Sequence, residues 1–250
     1  MSTSPDQLAA IAARNFGTAL AARWRGEPGL IGIYLIGSLA HGGFSRRYSD
    51  IDIAVITENG LSPSALDRMR ADAVSVSDEL AAKLSIFWSD RVFSIGRFPP
   101  LDRADYLDHA VTLMEREHVV PARPMLEEVR RYLAGAPFGN WANACETFAA
   151  RDSLDPNDRK SYLRALLYPA RFVSSWLTGG MASNDDAVAH LTEHAPWGLD
   201  VPLIQRALAC RQAARDPDPL FGARKQLPRQ VTACAAVISQ GKVAGIEPPA

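Results

Sequence analysis

Apolar residues between Leu8 and Arg25 recur at three- and four-residue spacing, the pattern of a helix with one buried face. Ser4 and Pro5 precede it as cap and first-turn residue, and Gly26-Glu27-Pro28-Gly29 stops it. Leu30 to Ile36 and Ile51 to Ile56 are short apolar runs rich in isoleucine, which predict strands. Ser62-Pro63 opens a second helix carrying Leu66, Met69, Ala73, Val76 and Leu80 on one face. Leu84 to Trp88 predicts a third strand and Arg91 to Arg97 a fourth.

After Pro100 the strand pattern gives way to helical spacing. Helices are predicted over Leu101 to Met114, Pro124 to Leu133, Asp158 to Leu177 with a kink at Pro169, Ser183 to Glu193, Val201 to Arg215 and Leu220 to Gln240. Ala134 to Gly139 is a break, and Asp152 to Asn157 is a loop. Strands first and helices afterwards predict an α+β fold in two parts. Residues 1–137 would hold a short mixed sheet with helices, and residues 138–250 would be all-helical.

Composition narrows the function classes. The chain has 250 residues, 47% of them hydrophobic, enough for a sizeable core. It has no apolar run long enough to span a bilayer, so no membrane partner is expected. Its N-terminus lacks a basic patch followed by an apolar stretch, and so does not read as a signal peptide. Cys145, Cys210 and Cys234 are few, odd in number and widely spaced. That argues against a disulfide framework or zinc site and for packing roles in a reducing, cytoplasmic setting. A formal net charge of −1 argues against extended nucleic-acid binding.

The chemistry concentrates in YLIGSLAHGGFSRRYSDIDIAV, Tyr34 to Val55. Side chains at i and i+2 of a strand share a face, so Asp50 and Asp52 project together while Ile51, Ile53 and Val55 enter a core. Two adjacent carboxylates are costly without a compensating cation, and Mg²⁺ takes one or two carboxylates plus phosphate and water oxygens. Gly37-Ser38 ends the preceding strand. Glycine there allows close backbone approach, Ser38 adds a hydroxyl donor, and the turn amides would form an anion cradle. A cradle beside a metal-binding carboxylate pair is equipment for attack on a nucleotide phosphate. Either motif alone is common; their succession, with eleven residues from Leu39 to Ser49 between them, is what carries the reading.

This stretch resembles the signature of the DNA polymerase β-like nucleotidyltransferase superfamily: Gly-Ser, a spacer, then Asp-x-Asp. The layout is most similar to the aminoglycoside adenylyltransferases that modify streptomycin and spectinomycin, which pair a catalytic domain with a helical one. RFVSSWLTGGMASNDDAVAHL, Arg171 to Leu191, and ACRQA, Ala209 to Ala213, look like parts of that helical domain. The resemblance implies that Asp50 and Asp52 are catalytic and hold Mg²⁺. It implies that Gly37 and Ser38 hold the nucleotide phosphates with help from Ser49, and that ATP is the co-substrate. It implies a small hydroxyl-bearing acceptor, bound by the helical domain. The superfamily usually adds a third carboxylate from the next strand as general base. The position aligned here is Ser85, and Asp90 at the strand end is the nearby acid. Strand parity sets Asp90 on the opposite face unless a bulge intervenes. Either Asp90 or an acid from the helical domain would then serve as base, or the base is missing. The alternatives to a small acceptor are a protein or RNA acceptor, and, if Ser85 marks lost turnover, a catalytically silent nucleotide-binding module.

Other residues carry two readings each. Arg46 and Arg47 would reach triphosphate oxygens or lie in a solvated loop, and His41 would face the nucleotide or the surface. Asp185, Asp186 and Glu193 would wall a cationic acceptor or complement a helix dipole. Trp176 and Trp197 would stack on a ring or pack in the core. Asp102, Arg103 and Asp105 read as a cap and pair within a helix start.

Overall fold

The computed structural model describes residues 4–243. Packing divides the chain into two compact units, the first ending at Pro124 and the second beginning at Met125.

The first unit opens with α1 (Pro5–Trp24). Ser4 Oγ accepts from Gln7 N at 3.2 Å and Gln7 Oε1 accepts from Ser4 N at 2.8 Å, a reciprocal cap that satisfies two orphan donors. There follow β1 (Leu30–Ile36), the one-turn α2 (Ser38–His41), β2 (Ile51–Thr57), α3 (Pro63–Val76), α4 (Asp78–Ala81) and β3 (Leu84–Ser89). α5 (Pro100–His109) and β4 (Val111–Glu115) complete the unit. The four strands form one mixed sheet in the order β3-β2-β1-β4. β1 is antiparallel to β2 and β4, and β2 is parallel to β3.

Both faces of the sheet are covered, so β1 and β2 are apolar almost throughout. On one face Ile33, Leu35, Ile51, Ile53 and Val55 pack against Phe16, Leu20 and Trp24 of α1 and Met69 of α3. On the other, Tyr34, Ile36, Ala54 and Ile56 pack against Tyr106 of α5, with Phe87, Phe93 and Phe98 around them. Tyr106 sits edge-on to Tyr34 with ring centroids 5.0 Å apart.

Two sequence expectations change here. The predicted helix over Leu101 to Met114 ends at His109, where Ala110 takes ψ 132° and leaves the helix. The β-branched Val111 and Thr112 then start β4, which supplies partners to the second edge of β1. Tyr34 fastens that pairing by donating its hydroxyl to Glu115 Oε1 at 2.7 Å. The strand predicted over Arg91 to Arg97 is a turn, with one isolated bridge from Ser89 to Gly96. The amides of Ser94 and Ile95 are captured by the Asp90 carboxylate and cannot join a ladder.

The second unit is helical: α6 (Leu126–Ala134), α7 (Ala136–Ala150), α8 (Arg159–Thr178), α9 (Asn184–His194), α10 (Val201–Gln212) and α11 (Leu227–Val243), with 3₁₀ turns at Pro156–Asp158 and Asp218–Gln226. Its centre is α8, which runs on through Pro169 and buries Tyr162, Leu166, Phe172 and Val173. Trp141 of α7 stacks on Tyr168 at 4.5 Å and donates its indole N–H to Ala165 O at 2.9 Å. Trp176 is buried in this core, whereas Trp197 is 95% exposed. The Ala134–Gly139 break proves to be the tight junction of two helices: Gly135 separates α6 from α7, and Pro137 lies in the first turn of α7. α6 packs on α7 and α8, so the structural division falls before α6. Cys145, Cys210 and Cys234 form no disulfide, and burial pushes the Cys145 thiol up to about 12. Among the described residues no helix is long and apolar enough to cross a membrane.

Candidate active site

The polar residues of the Tyr34–Val55 stretch gather at one end of the β1–β2 pair. β1 stops at Ile36, which lies in register with Asp52 of β2. Gly37 then turns the chain with φ 67° and ψ −153° and starts α2, its carbonyl accepting from Ala40 N at 2.9 Å and His41 N at 3.0 Å. Positive φ suits glycine, and space demands it: a Cβ on Gly37 would overlap Asp52 Oδ2. The backbone of the turn therefore passes directly against the Asp52 carboxylate. The first-turn amides of Ser38 and Leu39 have no place in the ladder of so short a helix.

Asp52 and Asp50 are both part-exposed, while Ile51 and Ile53 beside them are fully buried. The carboxylates thus stand at the rim of the core, open on one side. Ser49, which precedes Asp50 in the chain, is buried at 4% exposure. Its Oγ accepts from Ser38 Oγ and from Ser45 N, both at 3.0 Å, and so ties the spacer loop to the Gly-Ser turn. The loop is pinned further by Lys83 Nζ on Arg46 O at 2.5 Å and by Arg46 N on Asp6 Oδ1 at 3.1 Å. The Arg47 guanidinium sits over the Tyr48 ring, 5.5 Å from its centroid. Beside Ser38 opens a groove of about 480 Å³, lined by Asp6, Gln7, Ile11, Arg14, Ser38 and Phe44 among others.

The residue set fits a hard divalent cation. Two carboxylates two residues apart can supply oxygen ligands, and the Cβ-free turn lets the backbone lie directly against Asp52. Among the described residues no group of three or more His, Cys, Asp or Glu side chains is placed to cage a metal. A pair of carboxylates suits Mg²⁺ that shares its sphere with phosphate and water.

The neighbour of Asp52 on β3 is Ser85, in parallel register, the position aligned with the family's third carboxylate. Asp90 does not replace it. Five residues further along, it lies roughly 16 Å away at strand rise. Its carboxylate accepts from Ser94 Oγ at 2.6 Å, Ser94 N at 2.7 Å and Ile95 N at 3.3 Å. Burial alone would raise the Asp90 pKa, but these hydrogen bonds outweigh it and hold the carboxyl below the usual value. Asp90 is a turn clamp. Asp90→Asn is expected to cost about 1–3 kcal/mol of stability while leaving nucleotide chemistry intact. Because the folded-state pKa is depressed, this stabilisation is complete above the unfolded value near ~3.9 and fades as pH falls through the folded one. Melting curves of wild type and Asp90→Asn should therefore converge in acid.

Asp105 departs from its sequence reading. It neither caps nor pairs within α5; the N-cap position is Pro99, without a side-chain bond. Asp105 is buried, and its Oδ2 accepts the Gly37 N–H at 2.7 Å. The available signal was an acid on the same helical stripe as Leu101 and Ala104, both buried. Asp185 and Asp186 lie in the first turn of α9: Ser183 Oγ donates to Asp186 Oδ2 at 2.7 Å, and Gln212 Nε2 donates to Asp185 Oδ1 at 2.5 Å.

Comparison with known proteins agrees with this architecture. Residues 15–93 match the family model described as nucleotidyltransferase domain. No curated protein sequence matches the chain. Among solved structures, the spectinomycin adenyltransferase AAD(9) from Enterococcus faecialis, crystallised with ATP and spectinomycin, superposes with a TM-score of 0.63. The match covers 90% of this chain and 99% of that one at 13% identity, a likeness of fold. With its Gly-Ser turn, its carboxylate pair and its mixed sheet, the segment 15–93 is a nucleotidyltransferase domain of the DNA polymerase β-like kind.

Proposed function

We propose that the chain is a Mg²⁺-dependent adenylyltransferase that moves AMP from ATP to a hydroxyl of a small acceptor, an aminoglycoside such as streptomycin or spectinomycin. The observation that carries the chemistry is the Gly37–Ser38 turn lying against Asp52, with the part-exposed Asp50 two residues earlier, just before β2 begins. Asp50 and Asp52 would hold Mg²⁺, which neutralises charge on the triphosphate and aligns the leaving pyrophosphate. Gly37 contributes by having no side chain, Ser38 by its first-turn position, and Ser49 by accepting the Ser38 hydroxyl. The acceptor hydroxyl would attack the α-phosphorus and release its proton to solvent, the bond from the α-phosphorus to the oxygen bridging the β-phosphate would break, and pyrophosphate would leave in line.

Support for the acceptor is of a different kind. The superposed AAD(9) structure holds ATP and spectinomycin, and its fold is shared nearly end to end. Fold alone does not set a substrate. We assign catalysis to the sheet-containing part and acceptor recognition to the helical part. Ser85 beside Asp52 favours one second reading, a nucleotide-binding module without turnover.

The deciding experiment is pyrophosphate release from ATP and Mg²⁺ across a panel of aminoglycosides, with the acceptors then weighed by mass spectrometry. Release that requires streptomycin or spectinomycin, and an acceptor that gains AMP, is the expected result. ATP binding without release on any acceptor would transfer the weight to the silent module.

A further inference from the structure

Asp105 is a buried carboxylate with no part in the proposed transfer step, and the role inferred for it rests on Gly37 and Ser38 being a nucleotide site. It lies on α5 with 2% of its surface exposed. Its neighbour Tyr106 is locked into the aromatic face of the core by Tyr34, Phe93 and Phe98. One turn later His109 meets His41 of α2 edge-on, at a centroid distance of 5.7 Å. α5 therefore braces the Gly-Ser turn at two points, the Gly37 amide and the end of α2.

The two oxygens of Asp105 are unequal. Oδ2 accepts the Gly37 N–H at 2.7 Å, while Oδ1 is buried with no hydrogen-bond partner. A carboxylate kept for packing alone would be a poor choice, because a buried unpaired oxygen carries an uncompensated desolvation cost. Such burial also excludes Asp105 as the base that meets an incoming acceptor, since a base must reach the proton it takes. Its one contact of consequence is with Gly37, whose other side faces Asp52 Oδ2.

We infer that Asp105 is a positioning residue for the nucleotide site: its bond to the Gly37 amide holds the Gly37–Ser38 turn at positive φ against Asp52, so that the cradle is formed before nucleotide arrives. A rigid cradle binds phosphate without a further ordering cost. What Asp105 supplies is an acceptor atom at one place, and its charge is secondary.

Calorimetric titration with Mg²⁺-ATP tests this on the full chain. Asp105→Asn keeps an acceptor oxygen and should bind within about threefold of wild type, whereas Asp105→Ala should bind about tenfold more weakly. Rescue by the conservative variant separates positioning from charge. Equal binding by wild type and Asp105→Ala would overturn the inference, and so would an Asn variant as weak as the Ala one. Should Asp105→Ala not fold, Asp105→Glu decides: one extra methylene displaces the Gly37 amide, so about tenfold weaker binding is expected despite the retained charge, and unchanged binding overturns the inference. Wild type that does not bind Mg²⁺-ATP at all would overturn the nucleotide reading itself, and this inference with it. Strong wild-type binding with an indifferent Asp105→Ala removes Asp105 alone.

Discussion

Asp52→Asn is expected to lower AMP transfer at least about 10³-fold, since metal-assisted stabilisation of phosphoryl transfer is worth several kcal/mol and each ~1.4 kcal/mol is tenfold. The fold should survive. Asp52 is part-exposed at the rim of the core, and asparagine has nearly its shape. Neither the Ile36 nor the Ser85 pairing depends on the carboxylate, because both are backbone register. The melting temperature should stay within a few degrees of wild type, while pyrophosphate release disappears. A variant that retains a third or more of wild-type turnover would remove Asp52 from the chemistry.

Gly37→Ala is the second large effect, and it acts through geometry. Alanine at φ 67° is strained by about 1–2 kcal/mol. Its Cβ would also overlap Asp52 Oδ2, so the carboxylate must rotate away from its place. Both stability and activity should fall, the latter by about 10², the scale reached when a reacting group is displaced by about an ångström. Gly29→Ala separates the two causes. Gly29 has the same φ of 67°, but a Cβ there meets Glu58 at an ordinary 3.5 Å. It should lose comparable stability and keep its activity. Steady-state rates and melting curves on the two variants check this, and a Gly37→Ala enzyme no slower than Gly29→Ala would contradict the role given to the turn.

Much of the candidate site was legible because its signals are local. β1 and β2 are buried on both faces, so they appear as continuous apolar runs, and the Gly-Ser turn and Asp-x-Asp pair stand out at their ends. The family resemblance was enough to point to Ser85 on the next strand, which pairs with Asp52. What escaped depends on distant contacts or competing local preferences. Asp105 meets Gly37 across 68 positions in the chain, and nothing near it in sequence announces the partner. β4 follows α5 after a single residue, and Leu113 and Met114 continue a helical spacing. Only the open edge of β1 selects the strand. Asp90 looked like a spare acid because the residues that satisfy it, Ser94 and Ile95, sit in a turn whose sequence alternates like a strand. α7 begins among glycine, proline and alanine, which read as a linker until α6 and α8 pack around it.

If Asp50, Asp52 and the Gly37–Ser38 turn form one metal–nucleotide centre, the metal and the nucleotide must bind together. The affinity of the unaltered protein for ATP, with Mg²⁺ and with EDTA, measures this without knowledge of the acceptor. Shared coordination predicts that Mg²⁺ strengthens binding by about tenfold or more, the scale of one charge-assisted interaction. Equal affinity in EDTA, or no binding in either condition, would contradict a shared centre.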